Sequence, residues 1–216
     1  SANVSKWRNG NRQSKQFKTA LKIRRIYEFY KKNDFKYLQF IPCLEAYGSD
    51  LCELEYTLSP NTYGRFLIEL FELWYTDVNN GVQPYIRLFE NYVNILLGLE
   101  PYACDQKGRC SCQYAIEADG SVYPCDFYAL DEYEIGNIKT HSIKEMEYCL
   151  TNKKFIDEGK RVPDQCLNCG YYMLCRGGCR RNYVDGINFY CESYKMFFSY
   201  AYEKLYKLAM RIRNLF

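Results

Sequence analysis

The chain has 216 residues, 48% of them hydrophobic and 25% charged, with a net charge of +3. This is globular composition, which excludes a disordered or low-complexity chain, and the small charge gives nucleic-acid binding no support. No apolar run approaches the roughly 18 residues of a membrane span, and the polar opening Ser1-Ala2-Asn3-Val4-Ser5-Lys6 lacks the apolar core of a signal peptide.

Two counts stand out. Aromatic side chains are abundant, with 23 Tyr and 13 Phe, so rings must supply much of the core. There are 12 Cys against a single His, His141. That cysteine share lies below the roughly 8–10% of a disulfide scaffold. With no secretion signal, a cytoplasmic location and reduced thiols are expected, and clustered thiols there point to metal.

In chain order, polar residues run to about Gln13. Phe17, Ala20, Leu21, Ile23, Ile26, Tyr27 and Tyr30 then recur at three- and four-residue steps and predict a helix over 14–33. Its other side carries Lys15, Lys18, Lys22, Arg25 and Lys32; a solvated face is the simpler reading than a contact surface. The run 37–41, stopped by Pro42, predicts a buried strand. A helix followed by a buried strand is one α/β unit, which cannot cover both faces of its strand alone. Residues 44–58 read as loop. Ser59-Pro60 starts a second helix, with Ser as N-cap and a stripe of Tyr63, Phe66, Leu67, Leu70, Phe71 and Trp74. Phe89, Tyr92, Val93, Leu96 and Leu97 mark a third, closed by Gly98.

From residue 99 cysteines become dense. Residues 114–123 read as a hairpin around Asp119-Gly120, and Ser142 with Glu145 as a capping box. A loop-rich stretch follows at 163–191. A long helix over about 192–213 presents Tyr194, Phe197, Phe198, Ala201, Leu205, Leu208 and Ile212 on one side.

The strongest motif is Cys166-x2-Cys169-x5-Cys175-x3-Cys179. A C-x2-C pair sets two thiolates on one tight turn facing a common centre. Gly177 and Gly178 allow close backbone approach to a bulky group, and Arg176, Arg180 and Arg181 could offset thiolate charge. On spacing alone, an iron–sulfur cluster, structural zinc and disulfides all remain open. A second group is Cys104, Cys110, Cys112 and Cys125, with Cys191 further on. Cys43, Cys52 and Cys149 stand apart and read as isolated thiols.

The whole pattern, Cys104-x5-Cys110-x14-Cys125 followed by the C-x2-C-x5-C-x3-C run and Cys191, resembles the SPASM domain. This is the auxiliary iron–sulfur region of many radical S-adenosylmethionine (SAM) enzymes. The flanking residues 116–128, 174–181, 38–45 and 94–98 resemble the anaerobic sulfatase-maturating enzymes, and the likeness runs from about residue 20 to 195. The resemblance implies an α+β fold in four parts. They are the last helix and strand of a partial (β/α) barrel (1–58), a helical linker (59–98), the SPASM domain with its β-hairpin (99–195) and a C-terminal helix (196–216).

It also implies two 4Fe-4S clusters with interlocked ligands: Cys104, Cys110, Cys125 and Cys179 for the first, and Cys166, Cys169, Cys175 and Cys191 for the second. Cys179 thereby crosses from the second sequence group to the first. Cys112 becomes a bystander or an alternative ligand. No C-x3-C-x2-C motif for a catalytic cluster occurs, and the chain lacks an initiator Met. The resemblance therefore implies the C-terminal part of an enzyme whose barrel supplies SAM and a third cluster, and a fragment that makes no radical alone. Zinc or empty sites are the expectation for an air-exposed preparation.

The enzymes resembled oxidise a Cys or Ser of a sulfatase polypeptide to Cα-formylglycine. Asp126 matches the family's base, placed beside the first cluster, where partial burial and nearby negative charge would raise its pKa. On the residues alone, a turn Asp bonding local N–H groups is the simpler reading. The electron leaves through the first cluster; the second is a relay or a structural pin. The missing barrel and an electron donor or acceptor protein are implied partners; nucleic acid and membrane are not. Asp119 reads as structural, His141 as no ligand, and Tyr123, Phe127 and Tyr128 as core or channel wall. Two other readings stand: another peptide-modifying maturase with the same auxiliary domain, or a zinc-binding protein-interaction module.

Overall fold

A computed structural model describes residues 15–43, 57–82 and 84–215. Cys52, the polar opening and most of the expected loop at 44–58 lie outside them. The chain forms two compact units, one of residues 1–99 with 189–216 and one of residues 100–188. Among the described residues the fold is α+β, with three small sheets and no closed barrel.

In the first unit the helix expected over 14–33 is two, α1 (Lys15–Ala20) and α2 (Ile23–Lys32), separated by a turn at Leu21-Lys22. The break leaves Leu21 64% exposed, while Ala20, Ile23 and Tyr27 are buried. The expected strand at 37–41 shrinks to β1 (Tyr37–Leu38). Tyr37 and Ile41 are exposed, so the apolar run is not a continuously buried one. Its parallel partner is β2 (Tyr85–Ile86), in the register Tyr37 to Tyr85 and Leu38 to Ile86.

Helix α3 (Pro60–Asn79) begins as the sequence predicts: the Ser59 hydroxyl accepts the Thr62 N–H at 3.2 Å. Helix α4 (Arg87–Leu96) is followed by Gly98 at φ +81°, which only glycine adopts without strain. Helix α9 (Cys191–Arg213) packs along α3 and α4. Phe71, Phe89 and Phe197 meet with ring centroids 5.3–5.7 Å apart, at the separations aromatic pairs prefer. A Cβ on Gly64 would come within 2.8 Å of Met196 Sδ, so the small residue permits this close crossing. Asp77, buried in α3, accepts the Tyr27 hydroxyl at 2.8 Å and the Lys31 ammonium at 2.8 Å. Asp77→Ala removes both bonds and strands the Tyr27 hydroxyl in the core, which should destabilise this unit by about 2 kcal/mol in a denaturant titration.

The second unit is built of short elements. Strands β3 (Ala115–Ile116), β4 (Ser121–Tyr123) and β5 (Gly136–Asn137) form one antiparallel sheet. The predicted Asp119-Gly120 turn joins the first two, with Gly120 at φ +96°. The Asp119 carboxylate accepts the Ser121 N–H and hydroxyl, and these bonds hold it below the usual carboxylate range. Helix α5 (Ile143–Tyr148) starts in the predicted capping box, with both reciprocal bonds between Ser142 and Glu145 present. Helix α6 (Leu150–Glu158) follows it. The stretch from 163 holds two one-turn helices, α7 (Asp164–Leu167) and α8 (Tyr172–Cys175). A hairpin of β6 (Tyr183–Val184) and β7 (Ile187–Asn188) follows. Its turn residues Asp185 and Gly186 both have positive φ, the signature of a two-residue primed turn.

Candidate metal centre

The cysteines of the described residues are thiols, with no disulfide among them. Cys104 opens a short 3-10 turn (Cys104–Gln106), and the loop to Cys110 closes on the turn after α8: a Cβ on Gly108 would lie 3.1 Å from Arg176 Cβ. Residues 175–179 make that turn by an unusual backbone. Arg176, Gly177 and Gly178 all have positive φ (49°, 84° and 68°), so three successive left-handed residues swing the chain from Cys175 to Cys179. Two of the three are glycine, which meets the requirement without a Cβ clash. Asn188 fixes the turn from β7, donating its amide to the carbonyls of Gly177 at 3.0 Å and Cys179 at 3.4 Å. Cys125 follows β4, tied to the 110–113 segment by the Gln113 N–H to Pro124 carbonyl bond of 2.7 Å.

These segments bring four thiols into one electrostatic neighbourhood. Cys110 interacts with Cys104, Cys179 with Cys104 and Cys110, and Cys125 with Cys179. Burial pushes the Cys110 thiol up. It pushes Cys125 to about 12, the adjacent Asp126 carboxylate adding to the effect and the Phe127 N–H opposing it. Cys179 also rises to about 12, by burial first, then by Cys104, Asp105 and Cys110, against the Arg181 N–H. Three thiols that resist ionisation, Cys110 and Cys179 partly because of neighbouring thiols, with Cys104 beside them form a site that positive charge at its centre would complete.

The Asp126 carboxylate stands at the rim of this group. Its Oδ1 accepts the Cys125 thiol at 3.4 Å and the Phe127 N–H at 3.1 Å. The side chain is exposed, so the partial burial expected of it is not found.

The remaining cysteines divide by unit. Cys166 is buried in α7, the Cys169 N–H donates back to the Cys166 carbonyl at 3.2 Å just beyond that helix, and Cys175 ends α8. Tyr172 and Tyr183 each interact with both Cys166 and Cys175, placing these two thiols around one pair of rings. Burial, then these thiols, raise the Tyr183 hydroxyl. Cys191 is the first residue of α9, in the other unit. Cys112 does not face the first foursome in the way Cys110 does. With Tyr114 and Cys149 it packs on the buried trio Val122, Ile135 and Met146.

Sequence reasoning placed Cys110 in the site but missed what backs it. Gly159, at the end of α6, touches it so closely that a Cβ would lie 2.4 Å from Cys110 Cβ and 2.6 Å from its Sγ. Gly159→Ala should therefore force Cys110 aside, with a loss of metal uptake as the measurement. The signal was a lone glycine in an otherwise polar stretch, which reads as an ordinary helix end.

The donor set fits an iron–sulfur group. It is all thiol, partly buried at Cys110, Cys125 and Cys179, drawn from separated loops, with the Arg180 cation acting on Cys110. Among the described residues no three Cys, His, Asp or Glu side chains converge tightly enough to hold a single metal ion.

The sequence signature of SPASM, an iron-sulfur cluster-binding domain, matches residues 104–170. Over 201 residues the chain is 41% identical to the cysteine-type anaerobic sulfatase-maturating enzyme of Clostridium perfringens (strain 13 / Type A), covering 90% of this chain and 54% of that protein. The chain corresponds to the SPASM-bearing region of the anaerobic sulfatase-maturating enzymes.

Within that family, identity to the cysteine-type enzyme of Clostridium novyi (strain NT) is 45% over 193 residues, 87% of this chain and 52% of the relative. Identity to the serine-type enzyme of Bacteroides thetaiotaomicron is 27% over 199 residues, 82% of this chain and 47% of that one. A solved structure of native anSMEcpe with bound AdoMet and Cp18Cys peptide superposes with a TM-score of 0.85 at 40% identity, covering 91% of this chain and 56% of that one. The chain thus spans about half the length of the sulfatase-maturating relatives it matches. The SPASM match takes in Cys104, Cys110, Cys125, Cys166 and Cys169 and ends before Cys175, Cys179 and Cys191. No described helix is long and apolar enough to cross a membrane.

Proposed function

We propose that this chain is the auxiliary-cluster region of a radical SAM oxidoreductase that converts an active-site Cys or Ser of a sulfatase to Cα-formylglycine. Cys104, Cys110, Cys125 and Cys179 hold one 4Fe-4S cluster; Cys166, Cys169, Cys175 and Cys191 hold the other. The barrel that binds SAM and a third cluster lies outside this chain, so the chain alone makes no radical. The observation that carries the reading is the gathering of four thiols from separate loops, Cys104 exposed and Cys110, Cys125 and Cys179 partly buried, with the Asp126 carboxylate against one of them. The clusters, when bound, supply an electron sink.

The protein residues do the rest. Converting the side chain to the aldehyde oxidation level requires loss of a hydrogen atom, which goes to the radical formed on the missing barrel, and of a proton and an electron; Ser then gives the aldehyde directly, whereas Cys gives a thioaldehyde that water hydrolyses to the aldehyde with release of sulfide. Asp126 takes the proton. Its Oδ1 is engaged by Cys125 and Phe127, which orients the carboxylate, and Oδ2 has no hydrogen bond among the described residues and is the accepting atom. The substrate is a sulfatase peptide, as the peptides in the anSMEcpe complexes support. Identity of 41% and 45% to cysteine-type enzymes against 27% to a serine-type one supports Cys as the residue oxidised.

The test is anaerobic reconstitution of the chain with iron and sulfide. About eight iron atoms per chain and a brown protein are expected for two 4Fe-4S clusters. A colourless protein that takes up zinc in preference to iron under those conditions would overturn the reading in favour of a zinc module.

A further inference from the structure

Arg180 follows Cys179 and is unlike the other arginines of its motif. Its side chain is only 14% exposed. The guanidinium stacks on Tyr128 and Phe155, with 4.8 Å and 4.4 Å from its carbon to the ring centroids. One nitrogen, Nη1, donates to the Phe155 carbonyl at 3.2 Å and to Glu158 Oε2 at 3.3 Å. The Tyr128 hydroxyl also bonds the group. Two rings, a carbonyl and a carboxylate thus fix one plane, and a delocalised cation suits such a slot better than an ammonium would.

Two further observations direct this cation to the thiol site. Arg180 and Cys110 interact electrostatically, and Gly159, one residue beyond Glu158, touches Cys110 directly. The end of α6, the arginine and the first foursome are therefore one packed assembly. The Arg180 Nε is buried and has no hydrogen-bond partner among the described residues. A buried guanidinium N–H without an acceptor is costly, and a thiolate or sulfide is an acceptor that the protein alone does not supply. The other charges bordering the foursome, Asp105 and Asp126, are negative.

We infer that Arg180, its charge partly offset by Glu158, sets the reduction potential of the group held by Cys104, Cys110, Cys125 and Cys179. This rests on the cluster reading above. A fixed positive charge in a desolvated setting favours the reduced, more negative state of a thiolate-bound cluster. A carboxylate bonded to that cation weakens the effect. Arg180 is then a tuning residue, acting on the group through its field rather than on substrate.

The inference makes two predictions of opposite sign, read by a redox titration of the anaerobically reconstituted chain monitored by electron paramagnetic resonance. The cluster concerned is the one whose signal is lost in Cys104→Ala. In Arg180→Gln its potential should fall: at the wild-type midpoint the reduced-to-oxidised ratio should drop about tenfold, or about 59 mV for a one-electron couple. In Glu158→Gln, which leaves the arginine stacked but less neutralised, the potential should rise. Arg180→Lys should lie between wild type and Arg180→Gln. A purely structural role would lower iron content in the variants without opposite shifts. Unchanged potentials with iron intact, or shifts of the same sign, would overturn the inference alone. If Arg180→Gln loses its iron, the Glu158→Gln titration decides: absence of a rise overturns the inference. A wild-type chain that takes up no iron defeats the cluster reading, and this inference with it.

Discussion

Asp126→Asn in the full-length enzyme is expected to keep its iron content and lose at least about 10²-fold in the rate of formylglycine formation, the scale on which removal of a general base acts. The substitution is chosen for its shape. Asparagine retains an oxygen that can accept the Phe127 N–H, as Oδ1 does at 3.1 Å, so the local turn survives. What goes is the carboxylate's capacity to take a proton. The carboxylate is exposed in this chain and lies at the edge of the thiol group rather than within it, so no packing is lost. If Asp126 served only as a turn residue, Asn would serve nearly as well and turnover would be unchanged. Equal turnover in wild type and variant, measured as aldehyde formed on a Cys-containing sulfatase peptide, therefore sinks the assignment. Asp126→Ala separates the two roles further. It removes the bonds to Cys125 and Phe127 as well, and any additional loss of iron in that variant measures their structural share.

The local signals in the sequence were reliable where a short-range rule decides the outcome. Ser59 caps α3, Ser142 and Glu145 form their box, Gly98 closes α4, and most residues of the apolar stripes of α3 and α9 are buried. Each depends on neighbours within one or two turns of helix. The failures needed information from elsewhere. The strand at 37–41 is two residues long because its partner is the dipeptide Tyr85-Ile86, too short to carry a pattern of its own. The Asp185-Gly186 hairpin carries a turn signal, but its strands Tyr183-Val184 and Ile187-Asn188 are two residues each, too short to show an alternating pattern. That α9 shares a core with α3 is a pairing across more than 100 residues that periodicity on each helix does not specify. In the thiol site, cysteine spacing made the donors legible. Arg180, Glu158 and Gly159 were not, because a stacked arginine and a contact glycine look in sequence like a charge and a helix end. Asp126 was placed beside Cys125 by adjacency alone, and its exposure could not be read from that.

Cys179→Ala should remove about half of the iron from a reconstituted chain, and the iron lost should be that of the first cluster. On sequence order this is the less natural outcome, since Cys179 closes the C-x2-C-x5-C-x3-C run with Cys166, Cys169 and Cys175. Geometry argues the other way. The left-handed run Arg176-Gly177-Gly178 carries the chain out of α8, so Cys175 and Cys179 need not face the same centre. The thiol and carboxylate neighbours acting on the Cys179 thiol are Cys104, Asp105 and Cys110, although Cys179 also acts on Tyr183 together with Cys166 and Cys175. Cys125 in turn feels Cys179. The same substitution should loosen the turn that Asn188 holds through the Cys179 carbonyl, visible as faster hydrogen exchange at 175–179. Two controls sharpen the result. Cys112→Ala should retain all the iron, because that thiol packs with Cys149 on Val122, Ile135 and Met146. Cys175→Ala should remove the other half, leaving the signal that Cys179→Ala abolishes. If Cys179→Ala and Cys175→Ala abolish the same signal, the two thiols serve one centre, the crossover is wrong, and a ligand other than Cys179 must complete the group with Cys104, Cys110 and Cys125.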